Sequence, residues 1–153
     1  MLTLSLVALM LAGFGTTIID RPLELPPPRT VHLVATEEMK FDITEIKAQA
    51  GETLRIVLRA KGTLPKTVMA HNFVLLKAGT DAQAFVNASA TARATGFIAP
   101  AVSAEVLAST PLAGAGETVQ VTFTVPSKPG RYDFVCSFPG HFASGMRGVL
   151  TVR

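Results

Sequence analysis

The most chemically distinctive residues of this chain lie in one short stretch, Cys136 to Met146, which reads CSFPGHFASGM. It holds the single cysteine of the 153-residue chain, one of its three histidines and one of its five methionines. A thiolate, an imidazole and a thioether are soft or borderline donors, suited to a late first-row metal rather than a hard cation. Between Cys136 and His141 stand Ser-Phe-Pro-Gly. Proline fixes φ and glycine tolerates positive φ, so this spacer can turn the imidazole back onto the metal that the thiolate holds. A fourth donor has to come from elsewhere, and His71, far upstream, is the candidate. Two imidazoles, one thiolate and a weak axial thioether are the donor inventory of an electron-transfer copper site.

Each donor also has a plainer reading. A lone cysteine on an apolar strand is most often a small buried hydrophobe, and a methionine nearby is a core residue. The conjunction of Cys136, His141 and Met146 with an upstream His-Asn pair favours the metal. Zinc also accepts one cysteine and two histidines, but closed structural zinc sites usually use paired cysteines, which this chain cannot supply. Copper is the expected ion.

CSFPGH resembles the ligand loop of the cupredoxins, and of the azurins in particular. Upstream, Gly62 to Leu75 (GTLPKTVMAHNFVL) is similar to the azurin segment carrying the first histidine ligand. Downstream, Met146 to Arg153 (MRGVLTVR) is similar to the last azurin strand. The likeness runs from about Thr36 to Arg153. It implies that His71, Cys136, His141 and Met146 hold one type 1 copper ion, with the backbone carbonyl of Ala70 on the opposite axial side, where azurins have a glycine. It implies that Asn72 and Ser137 brace the two ligand segments by hydrogen bonding, and that backbone N–H groups near Asn72 and Phe138 point at the sulfur. It also implies an apolar docking patch around the edge of His141, made of Leu64, Met69, Phe138, Pro139 and Phe142, where redox partners such as a cytochrome or a copper enzyme bind transiently. Two features depart from the azurins: one cysteine leaves no disulfide, and Phe142 to Gly145 make the loop one residue longer, as in auracyanin-type and plastocyanin-type loops.

The leading functional reading is a small electron carrier, with the edge of His141 as electron port and no catalytic group beside the metal. One alternative is an accessory domain of a multicopper oxidoreductase, which would need further histidines, and His32 alone is too few. Another is copper delivery or storage, which favours exposed, exchangeable clusters of Met, His or Cys. His32 itself is expected to be an ordinary strand residue.

The elements that must position the donors are short and alternating. Thr30–Ala35, Thr53–Ala60 and Thr118–Val125 each place apolar residues at every second position, the signature of half-buried strands. Tyr132–Val135 and Val149–Val152 flank the ligand loop as two more. Glu37–Ala50 reads as a strand followed by a bend, and Phe97–Ala108 as irregular. Thr80 with Gln83 forms a capping-box pattern that predicts one helix over Asp81–Thr95, stopped by Gly96. The fold class expected is an all-β, Greek-key cupredoxin-like sandwich of seven to eight strands with one helical flap.

Residues 1–19 carry no charged side chain and suit a secretory signal or a membrane anchor. Asp20 to Arg29, with four prolines, suits a stiff extended spacer before a copper domain over 30–153. A periplasmic or extracytoplasmic monomer, tethered or free, is the expectation. Fourteen basic residues scattered among eleven acidic ones give a formal charge of +3 and no basic run, which argues against nucleic acid.

Overall fold

The computed structural model describes residues 26–153, so the signal or anchor expected over 1–19 and most of the proline-rich spacer lie outside the described residues. In chain order the elements are β1 (Arg29–Thr36), β2 (Lys40–Phe41), β3 (Glu45–Ala48), β4 (Thr53–Ala60), β5 (Val74–Leu76), α1 (Ala82–Ser89), two 3₁₀ turns (Arg93–Thr95 and Pro100–Glu105), β6 (Val106–Ser109), β7 (Thr118–Thr124), β8 (Gly130–Val135) and β9 (Arg147–Val152). One sheet has the order β2-β1-β4-β7 and the other β3-β9-β8-β5-β6. β1 runs parallel to β4 and β3 parallel to β9; the remaining pairs are antiparallel.

Alternation explains the sandwich. Along β4, Leu54, Ile56, Leu58 and Ala60 are buried while the residues between them are not, because successive side chains leave opposite faces of a strand. The inner faces meet in one core that includes Leu33, Ile56, Phe73, Phe134 and Leu150. Phe134 is its centre, with Phe73 and Phe41 at ring-centroid distances of 5.1 and 5.7 Å. Gly148 on β9 makes room for it: a methyl there would run into the Phe134 ring and the Thr44 carbonyl. β5 is buried at all three positions because a second cluster, Val74, Leu76, Phe85, Val135 and Phe142, covers its other face beneath α1.

Nine strands stand among the described residues where seven to eight were expected. Glu37–Ala50 divides into β2 and β3, which join different sheets. Phe97–Ala108 is less irregular than expected, since Val106–Ser109 pairs with β5. The helix is shorter than the Asp81–Thr95 expectation, and its cap is Asp81 rather than Thr80, with the carboxylate accepting from the Ala84 N–H at 3.0 Å. Beyond Ser89 the chain tightens into a 3₁₀ turn ending at Gly96, whose φ of 67° gives the left-handed stop. Tertiary contacts override the alanine-rich helical pattern here: the Ser89 hydroxyl accepts from the Ala99 N–H at 3.1 Å, and Thr95 Oγ1 donates to the Ile98 carbonyl at 2.7 Å.

The strands define two poles. β8 and β9 pair so that Val135 faces Arg147 at one pole and Gly130 faces Val152 at the other. The ligand loop joins β8 to β9 at the first. Arg29, where β1 begins, sits at the second, its guanidinium donating to Glu52 and to the Lys47 carbonyl at 2.8 and 2.7 Å. The eight residues of β1 carry the chain from one pole toward the other, about 25 Å at strand rise.

Candidate metal centre

Cys136 follows directly on the last residue of β8, and Met146 directly precedes β9. The strands therefore present the two ends of the loop side by side, and the Cys136 N–H donates to the Met146 carbonyl at 3.1 Å. Inside the loop, the His141 N–H donates to Phe138 O at 3.1 Å and the Met146 N–H to His141 O at 2.9 Å. Gly140 at φ 85° and Gly145 at φ 92° supply the left-handed turns that this closure needs. Ser144 straps the far side, its N–H and hydroxyl both donating to Gly140 O, at 3.1 and 3.0 Å. From the start of β2, Lys40 Nζ donates to Ser144 O.

His71 is placed by different means. It precedes β5 and forms a two-way bridge with Ala113: its N–H donates to Ala113 O at 2.9 Å and its carbonyl accepts from Ala113 N at 2.7 Å. The next residue locks this segment to the loop. Asn72 Oδ1 accepts from the Ser137 N–H at 2.9 Å, while Asn72 Nδ2 donates to Ser137 Oγ at 2.9 Å and to Gly96 O at 3.1 Å. One side chain thus ties together His71, Cys136 and the end of the helical flap. Phe73 exchanges hydrogen bonds with Thr110, N–H to Oγ1 at 3.0 Å and carbonyl from N–H at 2.9 Å.

These elements bring His71, Cys136 and His141 together, each with a donor atom within 4.8 Å of the others and all three buried. Cys136 Sγ lies 3.3 Å from His141 Nδ1, and the two imidazole rings have centroids 4.9 Å apart. His71 Nδ1 is buried without a hydrogen-bond partner. An unsatisfied buried polar atom is costly and calls for an explanation, and a metal ion bound to that nitrogen supplies one.

The electrostatics agree. Burial pushes His71 and His141 down to about 4, with Glu37 pulling His71 partly back and His71 lowering His141 further. Both imidazoles are therefore neutral at pH 7, the form that binds a metal. Burial pushes the Cys136 thiol up to about 12, against the backbone N–H groups of Asn72 and Phe138, which favour the thiolate. A cation in the site would replace that proton. Two neutral imidazoles and a buried thiol aimed at one point fit a copper ion in donor type and burial.

The remaining expected site residues have definite places. Ala70 is fully buried immediately before the Ala113 bridge. Met146 is fully buried in the main core, its backbone bonded to both Cys136 and His141. Of the expected docking residues, Leu64 is 42% exposed, Met69 half-buried and Pro139 exposed, while Phe138 is only 9% exposed. Phe142 departs from the expectation: its ring turns inward onto the cluster under α1, with the Arg147 guanidinium 4.9 Å above it. Val68, 59% exposed, is an apolar surface residue of the same segment that sequence reasoning passed over. Thr110 and Ala113, which hold the first histidine segment, also escaped it, since they lie in stretches without periodicity or motif, and Gly96 was read only as a helix stop and not as the acceptor for Asn72.

Comparisons with known proteins agree with this geometry. Residues 29–153 match the copper binding proteins of the plastocyanin/azurin family. The chain is 38% identical to auracyanin-A of Chloroflexus aurantiacus over 118 residues, 76% of this chain and 69% of that protein. It is 38% identical to azurin-1 of Alcaligenes xylosoxydans xylosoxydans over 124 residues, 79% of this chain and 95% of that protein. Among solved structures, auracyanin A of Chloroflexus aurantiacus, a "blue" copper protein, superposes with a TM-score of 0.71 at 36% identity, covering 83% of this chain and all of the other. The chain binds one copper ion, carries electrons between redox partners and is not an enzyme. With ligands, fold and relatives in agreement, it belongs to the plastocyanin/azurin family of blue copper proteins.

Proposed function

We propose that this chain is a one-electron shuttle whose copper is held by His71, Cys136, His141 and Met146 and whose electrons pass at the edge of His141. The observation that carries the reading is the buried His71–Cys136–His141 cluster, with His71 Nδ1 lacking any other partner. Copper bound there supplies a metal–thiolate centre that alternates between two oxidation states with little change of geometry. The chain's part is to keep that geometry constant. The Asn72–Ser137 hydrogen bonds hold the two ligand segments in register, and the N–H groups of Asn72 and Phe138 temper the donor strength of the sulfur. Met146, buried and backbone-bonded to both Cys136 and His141, would lend its thioether as a weaker donor to copper bound there, and the neighbouring Ala70 carbonyl would be a further candidate.

Partners dock weakly on Leu64, Val68 and Met69 together with Phe138 and Pro139, Phe138 lying against His141; the exposure of Leu64 and Val68 supports this. The protein works as a monomer in the periplasm or another extracytoplasmic space, free or membrane-anchored. Residues 1–19 direct export or anchor the chain, and the proline-rich stretch spaces the domain from the membrane. The entry of the described chain at the pole away from the ligands supports that arrangement, because a tether there leaves the copper pole facing outward. Copper delivery is the poorer reading, since donors this buried and braced exchange slowly. An accessory role in a multicopper enzyme is poorer too, as His32 lies exposed on β1 without a second histidine cluster among the described residues.

Titration of the chain with Cu(II), followed by visible absorption and EPR, tests the proposal. An intense thiolate charge-transfer band with narrow copper hyperfine splitting, saturating at one equivalent, is the expected result. A pale solution with ordinary tetragonal copper would overturn it.

A further inference from the structure

Beside the metal centre, on the side of the helical flap, a groove of about 240 Å³ is lined by Lys66, Thr67, Arg93, Phe97, Leu112 and Phe138. Its aromatic floor connects to the centre. Phe97 meets Phe138 edge-on, with centroids 5.0 Å apart, and Phe138 lies 4.8 Å from the His141 ring. Phe97 is held there at φ 61°, a conformation bulky residues rarely adopt, and its N–H donates to Ala92 O at 2.9 Å. The rim is cationic. Lys66 is paired with Glu117 at 2.6 Å, but Arg93 has no acidic partner among the described residues. Arg93 donates one Nη2 hydrogen to Thr67 O at 2.8 Å, and the rest of its fork is free for the bidentate geometry that guanidinium makes with carboxylate.

We propose that this groove seats a surface carboxylate of an acidic redox partner, with Arg93 as the anchoring cation and Phe138 separating the seated partner from His141. The assignment rests on the reading of His141 as electron port, and it names the chemistry of the partner: a protein carrying a one-electron haem or copper centre ringed by Asp and Glu. The exchange moves one electron between the two centres, makes and breaks no bond, and transfers no proton. Charge chooses the partner and steers its approach.

Two measurements on the full chain test this, each comparing Arg93→Glu with Arg131→Glu. Both variants change net charge equally, but Arg131 lies at the far pole, opposite Thr151. In the first, a hexa-aspartate peptide is titrated into the isotope-labelled copper-free protein. Amide shifts should cluster at Thr67, Gly96 and Leu112, survive Arg131→Glu and vanish in Arg93→Glu. Shifts spread over the whole basic surface, or unchanged in Arg93→Glu, would overturn the proposal. In the second, the reduced copper protein is oxidised by hexacyanoferrate(III) or by tris(phenanthroline)cobalt(III). Arg93→Glu should slow the anionic oxidant roughly tenfold at about 0.01 M ionic strength and speed the cationic one, the differences shrinking to about twofold near 0.5 M. Arg131→Glu should change either rate by less than about twofold. Equal effects of the two variants would leave only net charge at work and sink the groove. Absence of the charge-transfer band in the native chain would instead refute the copper reading, leaving the peptide result to stand or fall separately.

Discussion

The two segments that meet at the copper site are held by opposite strategies. The loop from Cys136 to Met146 closes mostly on itself, through the His141-to-Phe138, Met146-to-His141 and Cys136-to-Met146 backbone bonds and two glycines at positive φ. The segment around His71 has almost no local support. It depends on Ala113, Thr110, Gly96 and Ser137, residues 24 to 65 positions away in the chain. The difference teaches that a short loop can preset the spacing of three donors, but the fourth is placed only when two sheets and a flap have already packed. It also identifies Asn72 as the joint between the two strategies, since its amide bonds to both sides.

The largest expected effect comes from removing the loop's thiolate. Cys136→Ser should abolish the charge-transfer band and leave any bound copper with an ordinary tetragonal EPR spectrum, while far-UV circular dichroism stays native. Retention of the band would mean that the sulfur is no ligand.

Cutting the joint should come next. Asn72→Ala removes a buried amide with three partners within 3.1 Å and strands the Ser137 N–H, so urea unfolding of the copper-free protein should show a loss of about 2–3 kcal/mol. Ser137→Ala should cost about 1 kcal/mol. The double variant should fall short of the sum by about 0.5 kcal/mol or more, because the pair share one network. Strict additivity would mean that the two segments are braced independently.

Acidity probes both segments together. His71 and His141 are lowered from 6.5 to about 4, so the unfolded copper-free chain takes up protons first; their contribution is fully present above pH 6.5 and is lost as the pH falls toward 4. Cys136 is raised from 9.0 to about 12, so its contribution holds below pH 9 and is lost as the pH climbs toward 12. The copper-free protein should therefore have its highest Tm between pH 6.5 and 9. A Tm that keeps rising below pH 6 would contradict the burial of the two neutral imidazoles.

The smallest effect is expected at the loop's outer strap. Lys40→Ala removes the lysine donor to Ser144 O at an exposed position and should change stability by no more than about 0.5 kcal/mol. Amide exchange should nonetheless quicken at Ser144 and Gly145 while remaining unchanged at His71 and Asn72. Faster exchange in both places would erase the contrast between a locally closed loop and a remotely held histidine.

Much of this is legible in the sequence. The strict alternation of β4 and β7 and the Pro-Gly turn before His141 state their own geometry, because strand period and turn chemistry are local properties. The helix shows where such reasoning stops. Its alanine-rich stretch satisfied helical propensity through Thr95, yet the chain leaves the helix at Ser89 because Ser89 and Thr95 are engaged by the backbone around Ile98 and Ala99. Phe142 makes the same point on the surface. An apolar residue beside a ligand reads as docking surface, and only the cluster beneath α1 reveals that its ring faces inward.

Residue chemistry and spacing by themselves determined which atoms are fit to bind copper and that three of them sit on one loop between two strands. The tertiary structure decided that His71 arrives with an unpartnered nitrogen, that both imidazoles are dry enough to stay neutral, and that a cationic groove opens beside Phe138. Donor identity is a property of side chains and nearest neighbours. Burial, and the meeting of residues from opposite parts of the chain, exist only after the whole sandwich has packed.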